Sequence, residues 1–247
     1  KLFKTELYHY QHTAFDVEPI IRATSPYSLP NDVASSVTMV SGLRHFPSLR
    51  TPAVSETQST SRHVGPTKQQ VADWPSDCGK CSKGIFGDLH VTPEVLTRRY
   101  NLGQRPNTTA KSKIAVAEFT QVYYDQDDLT LYGGLCGIGN VTVDHYVGPK
   151  NEPKQCQVSI IIRPNLCKEA LLDIETIKGV SGTIPLSNYY TSNYDLLGWG
   201  KTINDLSTPE HVQSVSYGND EKQQTSVAFM NSVNVEMQKL GTKGVTV

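Results

Sequence analysis

From Val91 onward the chain alternates short apolar runs with longer segments whose apolar residues recur every three or four positions, the pattern of strands and amphipathic helices in turn. Thr92-Pro93-Glu94 opens a short helix, with Thr92 placed to cap it and Pro93 at its first position. The run Lys113-Ile-Ala-Val-Ala-Glu-Phe119 predicts a buried strand, and Asp125 to Leu131 a helical turn with acids at its start. A strand at Gln157-Val-Ser-Ile-Ile-Ile162, a helix from about Lys168 to Lys178 and a strand near Ile184 to Tyr190 follow. Next come a helix around Asp195 to Leu206 and a strand at Val212 to Tyr217. A helix from Thr225 to Leu240, ended by Gly241, and a strand beginning at Gly244 complete the pattern. Such alternation predicts the α/β class: β-α-β crossovers and a doubly wound, mainly parallel sheet covered on both sides, with chemistry at the carboxyl ends of its strands.

The first part of the chain is built differently. Up to Phe46, short aromatic and β-branched runs are broken by prolines at 19, 26 and 30, which predicts a small α+β unit of short strands, a helix and turns. Over residues 47–84 serine, threonine, proline and glutamine dominate, as in Ser55-Glu-Thr-Gln-Ser-Thr-Ser61, and few apolar side chains are present to offset the entropy of ordering. That segment is read as a linker, a place where proteases cut. The expected division is therefore 1–46, 47–84 and 85–247.

Within the helix expected at Lys168, Glu169-Ala-Leu-Leu-Asp173 places two carboxylates four positions apart on one face. Like charges that close disfavour double ionisation, so one carboxyl rises and the pair shares a proton, which suits a general base under acidic conditions. The plainer reading is a solvated pair of acids near a helix start, where the macrodipole favours them.

Composition narrows the remainder. The 247 residues carry 23 basic and 24 acidic side chains, a formal net charge of -1, which gives no footprint for nucleic acid or an anionic membrane. No apolar stretch approaches the ~20 residues that span a bilayer. The start, Lys1-Leu-Phe-Lys-Thr, lacks a signal-peptide core and is read as truncated or processed. Five cysteines (Cys78, Cys81, Cys136, Cys156, Cys167) leave the redox compartment open. The sequons at Asn107 and Asn140 lean towards a secretory route, lysosomal or secreted.

Other signals read blandly. Cys78-Gly-Lys-Cys81 has no second pair and reads as a local bridge or free thiols rather than a zinc or redox site. His9 and His12 have no glutamate between them, so no metal is expected there. The glycines from Gly133 to Gly139 lack the third glycine of a dinucleotide fingerprint and read as a loop, which leaves a nucleotide-binding domain unsupported. Asp127 and Asp128 read as solvated helix-start acids, and Tyr189-Tyr190 as sheet packing with one hydroxyl near the cleft.

Several segments together resemble the sedolisin family of serine-carboxyl peptidases, on its tripeptidyl-peptidase I branch. Leu7-Tyr-His-Tyr10, Ser25-Pro-Tyr-Ser-Leu-Pro30 and Val40-Ser-Gly-Leu-Arg-His-Phe-Pro47 are similar to the family's activation propeptide. Val91 to Asn101 resembles the start of its catalytic domain, Glu169-Ala-Leu-Leu-Asp173 the motif of its general base, and Val215-Ser-Tyr-Gly-Asn-Asp220 its substrate-side strand. The resemblance implies a subtilisin-like fold in which Glu169 takes the proton of a serine nucleophile and Asp173 hydrogen-bonds Glu169. It implies that Ser216, Tyr217 and Gly218 wall the substrate cleft, pairing with an extended peptide. A carboxylate base suits acid pH, where histidine is mostly protonated.

The family's Ser-Gly-Asp-Ser-Gly and Ser-Gly-Thr-Ser-Ala-Ser segments, which carry its oxyanion aspartate and its nucleophile, do not occur in these 247 residues. The expectation is the propeptide remainder plus the N-terminal half of a catalytic domain, inactive alone. Calcium is expected in the complete parent, with ligands beyond this chain and none bound by these residues. The implied partners are a peptide or protein substrate and the chain's own propeptide, with neither nucleic acid nor membrane. The rival reading is a non-catalytic, propeptide-bearing fragment that acts as inhibitor or chaperone of an intact peptidase.

Overall fold

The computed structural model of the chain describes residues 2–11, 13, 19–40, 42–44, 46, 90–106, 111–120, 122–156, 167–218 and 226–247. The linker expected over 47–84, the strand expected over 157–162, His12, Cys78, Cys81 and Asn107 lie outside them. In chain order the elements are β1 (Leu7–Tyr10), β2 (Ile20–Ala23), α1 (Asn31–Ala34), α2 (Pro93–Tyr100), β3 (Ile114–Phe119) and α3 (Gln126–Leu135). They continue as β4 (His145–Val147), α4 (Lys168–Ser181), β5 (Leu186–Thr191), α5 (Leu196–Asp205), β6 (Val212–Ser214) and α6 (Val227–Thr242).

Two compact units share these elements. One takes Lys1–Leu49, Asn193–Pro209 and Tyr217–Gly244; the other takes Arg50–Ser192, Glu210–Ser216 and Val245–Val247. In the first, β1 and β2 form an antiparallel pair with Leu7 opposite Ala23 and Tyr10 opposite Ile20. Edge-on aromatic contacts, Phe3 on Tyr27 at 5.9 Å and Tyr10 on Phe46 at 4.9 Å, tie the pair to the turns that follow. Also in this unit, α5 and α6 pack together, with Asn204 Nδ2 donating to the Glu236 carbonyl at 3.0 Å and to its carboxylate at 2.9 Å.

The second unit holds a four-stranded sheet in the order β4-β5-β3-β6, every pair parallel, with Ile114 opposite both Leu186 and Val212. This is the α/β arrangement with a parallel sheet that strand and helix alternation predicts. On one sheet face Val116, Leu129, Val141, Ala170, Ile174 and Leu186 form a core beneath α3 and α4. Thr92 caps α2 as expected, its hydroxyl accepting from Val95 N–H at 3.3 Å.

Several bounds differ from expectation. Gly133 and Gly134 lie within α3 rather than in a loop. The last helix runs through Gly241 to Thr242, because Leu240 is buried and Thr242 Oγ1 donates back to the Lys239 carbonyl at 2.7 Å. Beyond it, the expected final strand is a single parallel bridge between Thr246 and Val212.

Candidate functional site

Helix α4 positions the carboxylate pair. Its inner face is Ala170, Ile174 and Lys178, spaced by one turn and buried against the sheet. At its far end Lys178 Nζ donates to the Ile184 carbonyl at 2.9 Å and lies 3.6 Å from Asp144, whose carboxylate accepts from Leu186 N–H at 2.8 Å. Leu186 begins β5, so the C-terminal end of α4 is fixed at the amino ends of the strands, and its N-terminal end lies at their carboxyl edge. Glu169 is in the first turn and Asp173 one turn on, both half-buried, with Asp173 Oδ2 enclosed. The helix terminus adds its partial positive charge beside Glu169.

Under that end of the helix the sheet turns polar. Val116 and Leu186 belong to the core, and the two-residue strand period puts Glu118, Asn188 and Tyr190 on the same face, with Glu118 in register with Tyr190. Glu118 is fully buried and Asn188 is 1% exposed. Tyr146 of β4 lies opposite Asn188. Its hydroxyl is held well above the ordinary phenol range, chiefly by burial, then by Tyr124, Tyr123 and the Glu118 charge, so it remains a proton donor. Tyrosine rings fill this edge: Tyr123 on Tyr190 at 5.6 Å, Tyr124 on Tyr146 at 6.2 Å and Tyr146 on Tyr190 at 6.5 Å. Gly148, at φ +131, follows β4 past the Tyr190 carbonyl, where a Cβ would come within 2.0 Å of the oxygen. Glu118 is hard to pick out from the sequence because it stands inside an otherwise apolar run. A carboxylate in the next-to-last position of such a strand was the available signal.

The expected substrate-side residues sit differently from the expectation of a strand reaching Tyr217. β6 ends at Ser214, so Ser216, Tyr217 and Gly218 lie in irregular backbone beyond it. Tyr217 stacks on Tyr194 at 6.1 Å. Asn140 is exposed, between Gly139 and the buried Val141. Among the described residues no group of three or more His, Cys, Asp or Glu is arranged to hold a metal ion.

A second carboxylate centre lies on the opposite sheet face. Glu210, 6% exposed, accepts from Ser187 Oγ at 2.5 Å, from Tyr189 Oη at 2.8 Å and from Gln213 Nε2 at 3.3 Å. Although it contains a Ser–Glu pair, Ser187 and Glu210 are both buried, and the contacts are those of a structural network. Tyr189 and Tyr190 are buried on opposite faces of β5, and it is Tyr190 that joins the tyrosine edge.

Comparison with known proteins finds similarity over most of the chain. Residues 1–46 match the family model of the pro-kumamolisin activation domain. Tripeptidyl-peptidase 1 of Rattus norvegicus is 30% identical over 237 residues, which cover 92% of this chain and 36% of that protein. The Homo sapiens protein of that name is 27% identical over 256 residues, covering 98% and 38%, and the Bos taurus protein 28% over 251 residues, covering 98% and 38%. The chain thus spans little more than a third of the length of the relatives it matches.

Proposed function

We propose that this chain, a relative of the sedolisin family on its tripeptidyl-peptidase I side, is part of an acid-acting serine-carboxyl peptidase of tripeptidyl-peptidase type with a subtilisin-like catalytic domain. In this reading residues 1–46 are the end of the activation propeptide, 47–84 a linker, and 85–247 the N-terminal half of the catalytic domain. Glu169 takes the proton of a serine hydroxyl as that oxygen attacks the scissile carbonyl, and returns it to the leaving amine. Asp173 hydrogen-bonds Glu169 and shares its proton. The serine and the oxyanion aspartate come from segments outside these 247 residues, as does any calcium site. Ser216, Tyr217 and Gly218 pair with the substrate backbone.

The observation that carries the reading is the position of Glu169 and Asp173 on the first two turns of α4, at the edge where parallel sheets present reacting groups. A lysosomal or secreted location, with glycans at Asn107 and Asn140, is supported by the Cys156–Cys167 disulfide and by the bonded state of Cys136, since disulfides persist in oxidising compartments.

The test is Glu169→Gln in the full-length protein. Release of a tripeptide from a fluorogenic peptide near pH 4.5 is expected to fall by about a hundredfold or more, with the melting temperature unchanged. Activity within a few fold of the parent would remove Glu169 from the mechanism. The rival inhibitor reading rests on the activation-domain match together with the missing serine segments. It requires that the 247-residue chain, added to an active tripeptidyl-peptidase, slow that enzyme in a saturable way.

A further inference from the structure

The chain has five cysteines, and two of them, Cys156 and Cys167, are bonded to each other. Cys136 is disulfide-bonded as well. A cysteine forms one disulfide, so the partner of Cys136 within this chain is one of the two that remain, Cys78 or Cys81. Both lie outside the described residues, and the pairing follows from the cysteine count and the bonded state of Cys136, not from their positions. A local Cys78–Cys81 bridge, which the C-x-x-C spacing allows, would leave Cys136 with no cysteine of this chain to pair with.

Cys136 is a fixed anchor in the proposed catalytic part. It closes α3, where its N–H donates to the Tyr132 carbonyl at 2.9 Å, and the chain folds back directly after it, Ile138 N–H donating to the Gly133 carbonyl at 3.0 Å. Leu129 is fully buried in the core, and Tyr132 packs against the same cluster. The other end of the intervening chain is fixed too. Thr92 caps α2, and Pro93 and Val95 are buried. The proposed boundary at 84/85 therefore falls between a covalent tie to α3 on its amino side and a capped helix on its carboxyl side.

We propose that Cys136 is bonded to Cys78 or Cys81, and that this bond keeps the activation part attached to the catalytic part after the chain at their boundary is cut. Hydrolysis adds water across one amide and leaves the S–S bond as it is. The two pieces then separate only after a second cut between residue 46 and Cys78, or after reduction of the bond. A disulfide persists in the oxidising compartments of a secretory route. Retention rests on the boundary given in the proposed function, whereas the bond itself does not.

The experiment uses the full-length protein, its free thiols blocked with iodoacetamide before denaturation. Trypsin cuts after Lys80 and so separates Cys78 from Cys81. The non-reduced digest is expected to contain the Cys136 peptide joined to one of those two. The pair falls apart when dithiothreitol returns both thiols and is itself oxidised to its cyclic disulfide. Cys136 found alkylated, or joined to any other cysteine, overturns the proposal. After incubation in acid, the cut protein is expected to run as one band without reductant and as two with it, and the Cys136→Ser protein as two bands in both. Separate pieces from the parent without reductant overturn retention. The digest needs only the parent, so it decides the bond even if the serine variant fails to fold. Failure of the underlying reading looks different: acid then leaves the boundary uncut, and the digest alone upholds or overturns the bond.

Discussion

Glu175, on α4 but outside the proposed catalytic pair, is a carboxyl whose proton affinity the fold raises. Burial, followed by the nearby Asp128 charge of α3, pushes it from 4.5 to about 7. Asp128, an exposed acid in the first turn of α3 as its position suggests, is raised as well, by burial and then by its neighbours Asp125 and Asp127. Tyr132 of α3 is pushed up to about 12 by burial and the Glu175 charge, with Arg105 opposing. For a carboxyl raised on folding, the neutral form is the one the fold prefers. Its contribution is fully present below pH 4.5, declines as pH rises, and is lost above about 7. Because Glu175 is only half-buried, solvent screening reduces the effect to on the order of 1 kcal/mol. Glu175→Gln is therefore expected to leave the urea midpoint unchanged at pH 4.5 and to raise it at pH 7.5. An equal effect at both pH values would show that the charge is not the cause. The same sign favours a helix bearing a carboxylate base that works in acid.

At the scale of elements, Glu210 clasps strands that are not neighbours. Ser187 and Tyr189 belong to β5 and Gln213 to β6, with β3 between them. Ala115 and Ala117 are the β3 residues in register with Ser187 and Tyr189, and their small side chains leave room for the carboxylate to reach across. Glu210→Ala strands three buried donors and is expected to cost about 3 kcal/mol, whereas Ser187→Ala costs about 1. Chemical denaturation of the two variants measures both, and equal losses would refute the clasp. Helix α2 meets α4 at Gly179, where a Cβ would come within 2.7 Å of Pro93 Cγ. Gly179→Ala is expected to cost about 2 kcal/mol by overpacking in the same assay, and a neutral result would mean that α2 can move aside. Elements with local signals were legible in the sequence: the Thr92-Pro93 start of α2, the apolar run of β3 and the acid-capped start of α3. β4 was not legible, since three residues exposed in alternation carry little pattern and are held by pairing to β5. β6 was read too long because pairing with β3 ends at Val116–Ser214, a tertiary fact that Val215 to Tyr217 do not announce. In the candidate site, the spacing of Glu169 and Asp173 was visible. Glu118 is marked only by its next-to-last place in an apolar run, and its company with Tyr146 and Asn188 is not legible, because strand register alone brings the three together.

For the whole molecule, the proposed division starts from residues 1–46. Residues 1–46 match an activation domain, and the Ser/Thr/Pro/Gln-rich stretch begins immediately after them. The proposed function makes this the boundary between an activation part and a catalytic part. Cleavage is expected between about Lys80 and Leu89, where the linker composition gives way to the capped helix at Thr92. Brief incubation of the full-length protein near pH 4 should yield a product whose N-terminus, read by Edman sequencing or mass spectrometry, lies in that interval. If the cut is self-inflicted, the Glu169→Gln protein incubated alone stays intact, and adding a trace of the active parent restores cleavage. Processing of the purified mutant at the parental rate would assign the cut to another protease, and an intact linker in the acid-treated parent would exclude self-activation. Cleavage of the mutant only when active parent is present would tie the boundary seen in the sequence to the carboxylate pair on α4, because one residue would then control both peptide hydrolysis and maturation.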